Sequence, residues 1–333
     1  MNLFEEDIIS VATSDYSWNK LKDKTVLISG GTGFIGQFII EVIKYRNEKF
    51  ADNIKVISLS RHPLDNTRNI FYLKQDVTEP INIEQEIDFI LHLASNTHPK
   101  QYAAYPVDTI ITNVSGCYNL LNLAVKKNVS RFLLASSVEI YGSGLKEAIA
   151  EADCGYIDCN TVRAGYNEGK RVSESLCQSF GQQYGVDCVV ARLARVFGAD
   201  KKQDSKAIAQ FFEKAVKGED IVLKSKGLQR FSYCYVADAV GGILKVLLDG
   251  QSGQAYNISE DDEGKNLKDY ASLIAGFAGK KVVFDFNADN AGVSVADYAV
   301  LNCDKLKSLG WKPLYSTSTA MKRTFNILTG AIR

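Results

Sequence analysis

Residues 25–36 read TVLISGGTGFIG: an apolar, β-rich run passes directly into a glycine-rich turn and then into helically spaced residues. Each glycine has a physical task if this is a strand–turn–helix unit. Gly30 permits the tight turn, Gly33 lets the backbone approach a pyrophosphate, and Gly36 allows close packing of helix on sheet. The helix opened by Phe34 and Ile35 then presents unbonded N–H groups at its positive end, where phosphates bind. A glycine motif alone also fits a purely structural turn. Its place in the first strand–helix unit is what favours a dinucleotide.

Outward from this unit the chain alternates. Short apolar runs at 54–60, 70–76, 88–95, 131–137 and 188–194 read as strands, with helical patterns through about residue 46 and over 106–127 and 163–184. Strands apolar at nearly every position, separated by helices, predict a parallel sheet covered on both faces. The expected fold class is therefore α/β, a Rossmann-type doubly wound sheet with a smaller C-terminal α+β substrate lobe. The division expected is a helical extension over 1–23, a dinucleotide-binding domain over 24–198, and a mainly substrate-binding lobe over 199–333. Some of that last segment is allowed to cross back to the sheet. Helices near 205–217 and 266–278 and short strands at IVLK, AYNIS and VVFDF mark the lobe, and the cleft between the two parts is the expected site.

Composition narrows the function classes. Among 333 residues, Lys+Arg and Asp+Glu are both 39, a balance that argues against nucleic acid or another polyanion as partner. No run of eighteen apolar residues occurs, so no membrane span is expected. MNLFEEDIISV carries acids where a signal peptide carries bases, and reads as an amphipathic helix. The seven cysteines are scattered without a CxxC and there are three histidines, so neither a disulfide framework nor a zinc site is expected. A reducing, cytoplasmic setting follows.

The second strand ends in Ser60-Arg61, where an acid would hold the ribose hydroxyls of NAD. A hydroxyl followed by a guanidinium suits a 2′-phosphate, so NAD and NADP both stay open. Asp76, after the third strand, is placed to meet the adenine amino group, or else to cap a helix. Further on, YNEGK sets Tyr166 and Lys170 at i and i+4, on one helix face. Tyrosine ordinarily titrates near ~10 and is a poor base at neutrality. A neighbouring ammonium favours the phenolate. The pair follows a strand that ends in Ser136-Ser137.

With these residues in order, the chain resembles the extended short-chain dehydrogenase/reductase superfamily of nucleotide-sugar epimerases, dehydratases and decarboxylases. The resemblance runs from Lys24 to the C-terminus and rests on GGTGFIG, Asp76-Val77, LHLAS, TNVSGCYNLL, SSVEIYG, YNEGKR, RLARVFG and QRFSYCYVAD. Within it, DVTEPINIE, PVDTIITNVSGCYNLL and VRAGYNEGKRVSESLC are similar to the UDP-glucuronate decarboxylase branch. The resemblance implies a tightly bound NAD or NADP, an NDP-sugar substrate (a UDP-sugar favoured), and a homodimer built on helices 106–127 and 163–184. It implies cofactor contacts from Phe34, Ile35, Val77, Leu93, Ala94, Ser95 and Asn113, the last supporting the tyrosine helix or a bound water. Tyr166 would take the proton of the sugar C4 hydroxyl, Ser137 would bond the same oxygen, and Lys170 would hold the nicotinamide ribose. Arg230 would meet the substrate's phosphate or ring.

SSVEIYG narrows the reaction. Simple 4-epimerases of the superfamily have no acid matching Glu139, whereas the dehydratases and decarboxylases it resembles carry one. Glu139 thus favours chemistry at C5, with a strand-exit carboxylate facing water as the plain alternative. Val138 cannot donate a proton, and so disfavours the dTDP-glucose type of 4,6-dehydratase, which has Asp there. Arg195 stands where an uncharged amide is usual, and could clamp a diphosphate or a sugar carboxylate. His92 is expected to pack beside the cofactor; His98, in the loop that follows, could line the site's rim but is not expected to. The leading expectation is decarboxylation of UDP-glucuronate or related C5 chemistry through a 4-keto sugar. A 4,6-dehydratase or 4-epimerase for polysaccharide precursors, and a non-catalytic cofactor sensor, are the alternatives.

Overall fold

A computed structural model describes residues 2–97, 104–145, 147–200, 206–260, 264–286 and 297–330. Seven strands form one wholly parallel sheet: β1 (Thr25–Ser29), β2 (Lys55–Ser60), β3 (Ile70–Lys74), β4 (Phe89–His92), β5 (Arg131–Ser137), β6 (Cys188–Leu193) and a last strand at Ala255–Ile258. Spatially the last strand leads, followed by β6, β5, β4, β1, β2 and β3. Alternation explains the continuous apolar runs. Val26, Ile28, Leu91, Leu133 and Val189 enter one core. Leu27, Ile90, Phe132, Leu134 and Val190 enter the other.

α1 (Leu3–Ala12) and α2 (Phe34–Phe50) cover the first face; α3 (Pro106–Lys127) and α4 (Ala164–Tyr184) cover the second. α3 and α4 approach closely where a Cβ on Gly169 would lie 3.2 Å from Asn113 Cβ. The order of strands reverses between β1 and β4. Their carboxyl ends open the crevice in which doubly wound sheets bind ligands.

From Arg195 onward the chain divides its duties, so the lobe begins a few residues before the boundary expected at 198/199. β7 (Arg195–Phe197), α5 (Ala207–Val216), β8 (Ile221–Leu223), β9 (Arg230–Phe231) and β10 (Tyr233–Tyr235) form part of the lobe. The chain then returns to the sheet through α6 (Val236–Asp249) and β11 (Ala255–Ile258). α7 (Leu267–Phe277), β12 (Val282–Phe284), β13 (Tyr298–Ala299), α8 (Asp304–Ser308) and α9 (Thr317–Thr329) complete it. Three parallel strand pairs knit the lobe: β7 with β10, β8 with β12, and β9 with β13.

The sequence reading assigns no helix to 236–249. All but one of its fourteen residues are buried, Asp238 and Lys245 among them, so its charged positions do not mark a solvent face. The N-terminal helix is tied down by Asp7, which accepts from Arg323 Nη2 at 2.7 Å and from the Tyr235 hydroxyl at 2.5 Å. Burial pushes the Asp7 carboxyl up, while Tyr235 and Arg323 oppose that shift. Such a buried ion pair is costly to break from one side.

Candidate active site

The turn after β1 is built by exclusion of side chains. Gly30 sits at φ +79°, and a Cβ there would lie 2.9 Å from Ala94 N. Only glycine therefore lets the exit of β1 meet the exit of β4. A Cβ on Gly36 would lie 2.4 Å from Gly30 O. α2 starts on Gly33, and no side chain caps it. Its first-turn N–H groups thus face the crevice, and this cradle fits the pyrophosphate of a dinucleotide. The Phe34 and Ile35 side chains serve packing instead. Phe34 Cζ would lie 2.8 Å from a Cβ on Gly198, and both side chains flank the first core. Their contribution to a phosphate is backbone only.

At the end of β2, Ser60 Oγ lies 2.8 Å from Thr32 Oγ1 and accepts from His62 N, while Arg61 is exposed. Asp76 Oδ1 accepts from the backbone N–H and hydroxyl of Thr78, closing a turn; no helix follows it. Val77 is buried, 2.8 Å from where a Cβ on Gly116 would be. Across the crevice, Leu93 N donates to Ser29 O and Ala94 N to Ser29 Oγ. Ser95 Oγ donates to Asn113 Oδ1 at 2.8 Å, and Asn113 Nδ2 to Thr109 O. Ser173 Oγ of α4 donates to Asn113 O, so Asn113 is fixed between the β4 exit and the tyrosine helix.

His92 closes the floor of this region. Its Nδ1 lies 2.7 Å from Ser29 Oγ, and burial, helped by the Lys170 ammonium, pulls its pKa down to about 3. The native protein therefore holds a neutral imidazole that the unfolded chain protonates below about 6.5. Stability is expected to fall as pH drops from there toward 3. At pH 4.5 the loss is about 2–3 kcal/mol. Urea unfolding at pH 7 and 4.5 checks this: His92→Gln should lose much less on acidification than wild type. His98 lies outside the described residues.

Beside β5, one face of α4 is stitched to the strip 135–140. Lys170 Nζ donates to Ala135 O at 2.9 Å, Asn167 Nδ2 to Glu139 O at 2.8 Å and Arg171 Nε to Ile140 O at 2.7 Å. Tyr166 lies on this face and is 7% exposed. Ser137 Oγ accepts from Glu139 N and caps the short 3-10 turn 138–141. The structure thus brings Ser137, Glu139, Tyr166 and Lys170 to one corner of the crevice. Burial lowers the Lys170 pKa to about 8. Val138 turns inward, 5% exposed, into the first core.

Glu139 is bracketed. Arg163 Nη2 meets Oε2 at 2.9 Å, and Arg195 Nη2 meets Oε1 at 3.3 Å. The Arg195 guanidinium stacks on Phe231 at 3.8 Å from the ring centre. Arg163 was not singled out in the sequence, although it stands three residues before Tyr166 on the same helical face. Arg230 is exposed, donates Nε to Gly264 O and lies over Tyr298, so the Glu139 cluster draws its second cation from Arg195. A second polar group was also missed: Arg192 pairs with Glu174 at 2.7 Å and donates to the Tyr141 hydroxyl, which in turn donates to Asn257 in β11. The aromatic run 231–235 is core.

Among the described residues, no group of three or more His, Cys, Asp or Glu is arranged to hold a metal, and no helix is long and apolar enough to cross a membrane. Residues 26–259 match the model of the NAD dependent epimerase/dehydratase family. UDP-glucuronic acid decarboxylase 5 of Arabidopsis thaliana is 36% identical over 72% of this chain and 70% of its own length. UDP-glucuronic acid decarboxylase 1 of Xenopus tropicalis is 29% identical over 91% of this chain and 72% of its own. Among solved structures, a UDP-glucose 4-epimerase from Thermotoga maritima superposes with a TM-score of 0.78 at 22% identity, covering 93% of this chain and all (100%) of that one. A dTDP-glucose 4,6-dehydratase from Streptomyces venezuelae, with NAD bound, gives 0.79 at 22% identity, covering 91% and 96%.

Proposed function

The chain belongs to the NAD dependent epimerase/dehydratase family, and from that premise we propose that it acts on a UDP-sugar through a 4-keto intermediate, with decarboxylation of UDP-glucuronate as its reaction. The observation that carries the reading is Glu139: a carboxylate at the β5 exit, held beside the tyrosine helix by two guanidiniums. Plain 4-epimerisation needs no acid there.

The glycine turn, the uncapped start of α2 and the Leu93–Ser95 exit would hold the dinucleotide, and Lys170 the nicotinamide ribose. Once bound, the nicotinamide supplies a hydride acceptor and donor at the sugar C4. Tyr166 takes the proton from the C4 hydroxyl, and Ser137 holds that oxygen in place. The ketone that results makes the C5 carboxylate a β-keto acid, which loses carbon dioxide readily. The buried Lys170 stabilises phenolate at Tyr166 while it is protonated. Ser60, Thr32 and Arg61 accept either a hydroxyl or a phosphate on the adenosine ribose, and NAD is the cofactor of the family.

Incubating the NAD-loaded protein with UDP-glucuronate and with UDP-, dTDP-, GDP- and CDP-hexoses, and weighing the products, tests this. Loss of carbon dioxide from UDP-glucuronate supports the reading. Loss of water from a hexose, or inverted stereochemistry at constant mass, replaces it with a dehydratase or an epimerase. Cofactor binding without turnover of any sugar replaces it with a sensor.

The reading extends to a homodimer in a cytoplasmic setting. Val107, Ile111, Tyr118 and Val125 form one stripe on α3, exposed by 68, 45, 50 and 38%, and Val172 of α4 is 41% exposed. Helical spacing keeps them on a single side, beside the family's catalytic helix, and a second copy of this chain would cover them. Sedimentation should find a dimer for wild type and a monomer for Ile111→Glu. A monomeric wild type would sink the assignment.

A further inference from the structure

Glu139 and its two arginines carry one negative and two positive charges in a half-buried corner, so the cluster holds an excess cation next to Ser137 and Tyr166. The two contacts are not equal. Arg163 lies at 2.9 Å, within the usual charge-assisted range, whereas Arg195 lies at 3.3 Å, beyond it. Arg163 stands at the start of α4, and Asn167 one turn on grips the Glu139 carbonyl. Arg163 therefore fastens Glu139 to the tyrosine helix. Arg195 comes from β7, a three-residue strand of the lobe paired with β10. Its planar group is backed by Phe231 on one face, which fixes its plane and lowers the cost of removing it from water.

We propose that Arg195 is the specificity residue of this enzyme: its guanidinium receives the sugar carboxylate, and Glu139 is the resident counter-ion that shares it until substrate arrives. The inference rests on the proposed function and deepens it. The chemical class it selects is a sugar nucleotide with a carboxylate on C5 of the sugar, against the same sugar bearing CH₂OH. Arg230, one residue before Phe231, cannot do this from where it stands. Successive residues of a strand face opposite ways, and Arg230 is engaged with Gly264 and Tyr298. Arg163 positions Glu139 and does not bind the substrate.

The test is calorimetric binding of UDP-glucuronate and of UDP-glucose to the NAD-loaded enzyme, in wild type, Arg195→Gln and Arg195→Lys. Wild type should prefer UDP-glucuronate. Arg195→Gln should weaken it by about 10- to 100-fold, as expected for a lost hydrogen bond to a charged group, and shift UDP-glucose by less than about threefold. Arg195→Lys, which keeps the charge but not the planar fork, should recover part of the preference. Equal losses for both sugars overturn this inference alone, because Arg195 would then serve the diphosphate or merely support Glu139. A wild-type protein that binds neither sugar overturns the inference together with the substrate assignment. Circular dichroism and cofactor titration of the variants separate a folding defect from a binding defect.

Discussion

Replacing Lys170 with methionine is expected to cut turnover by orders of magnitude and, at the same time, to make the protein more stable. Lys170 is 3% exposed and its pKa falls from an ordinary 10.5 to about 8, with burial as the leading cause. Below pH 8 the fold therefore carries a buried ammonium whose discomfort is the full shift, on the order of 3 kcal/mol. Methionine removes that burden and fills similar space, while the hydrogen bond to Ala135 O is lost, at about 1 kcal/mol. A net gain of roughly 2 kcal/mol at pH 7 is expected from urea unfolding. The gap should close with rising pH. Between about 8 and 10.4 the unfolded chain holds a proton that native wild type has released, so wild-type stability climbs through that window. Turnover should fall by about 10²- to 10⁴-fold, the range for losing acid–base assistance. Turnover left close to the wild-type rate would remove Lys170 from the chemistry. A destabilised variant would mean that the ammonium is better solvated than its burial implies.

Glu139→Gln separates binding from chemistry. The substitution leaves two guanidiniums around a neutral amide, so the corner's charge rises from one excess cation to two. Turnover of UDP-glucuronate should drop by roughly 10²- to 10³-fold if the carboxylate manages a proton at C5. Its KM should fall rather than rise, by up to about tenfold (~1.4 kcal/mol), because the incoming carboxylate no longer competes with a resident one. UDP-glucose binding should scarcely change. An unaltered kcat would reduce Glu139 to a polar end of the β5 strand. A raised KM would mean that the substrate carboxylate never reaches Arg195.

These two variants also separate what could be read in the chain from what could not. The Lys170 position was legible because its signal is local: four residues after Tyr166 on a helix, a spacing any helical segment imposes. The glycine turn was legible for the same reason, since three glycines at fixed offsets serve one strand–helix junction. Ser137 and Glu139 were legible as a polar end to an apolar strand. The pairing of Glu139 with arginines was not, because Arg163 and Arg195 stand 24 and 56 residues away along the chain. Charge at such separations carries no periodicity. Arg230 shows the opposite case. Its type suited the site, but a one-residue alternation within β9 aims Phe231 at the cluster and turns Arg230 outward.

By itself the sequence determined the parallel doubly wound sheet, the dinucleotide cradle and the helix that bears Tyr166 and Lys170. Each of these is signalled by a local pattern, an apolar run or a fixed spacing, written directly in the order of side chains. The tertiary structure alone decided that α6, whose charged Asp238 and Lys245 are turned into the protein, returns the chain to the sheet. It alone decided which cations reach Glu139. Those outcomes depend on closing long loops against a packed core, and loop closure depends on the whole chain's geometry and not on any local pattern.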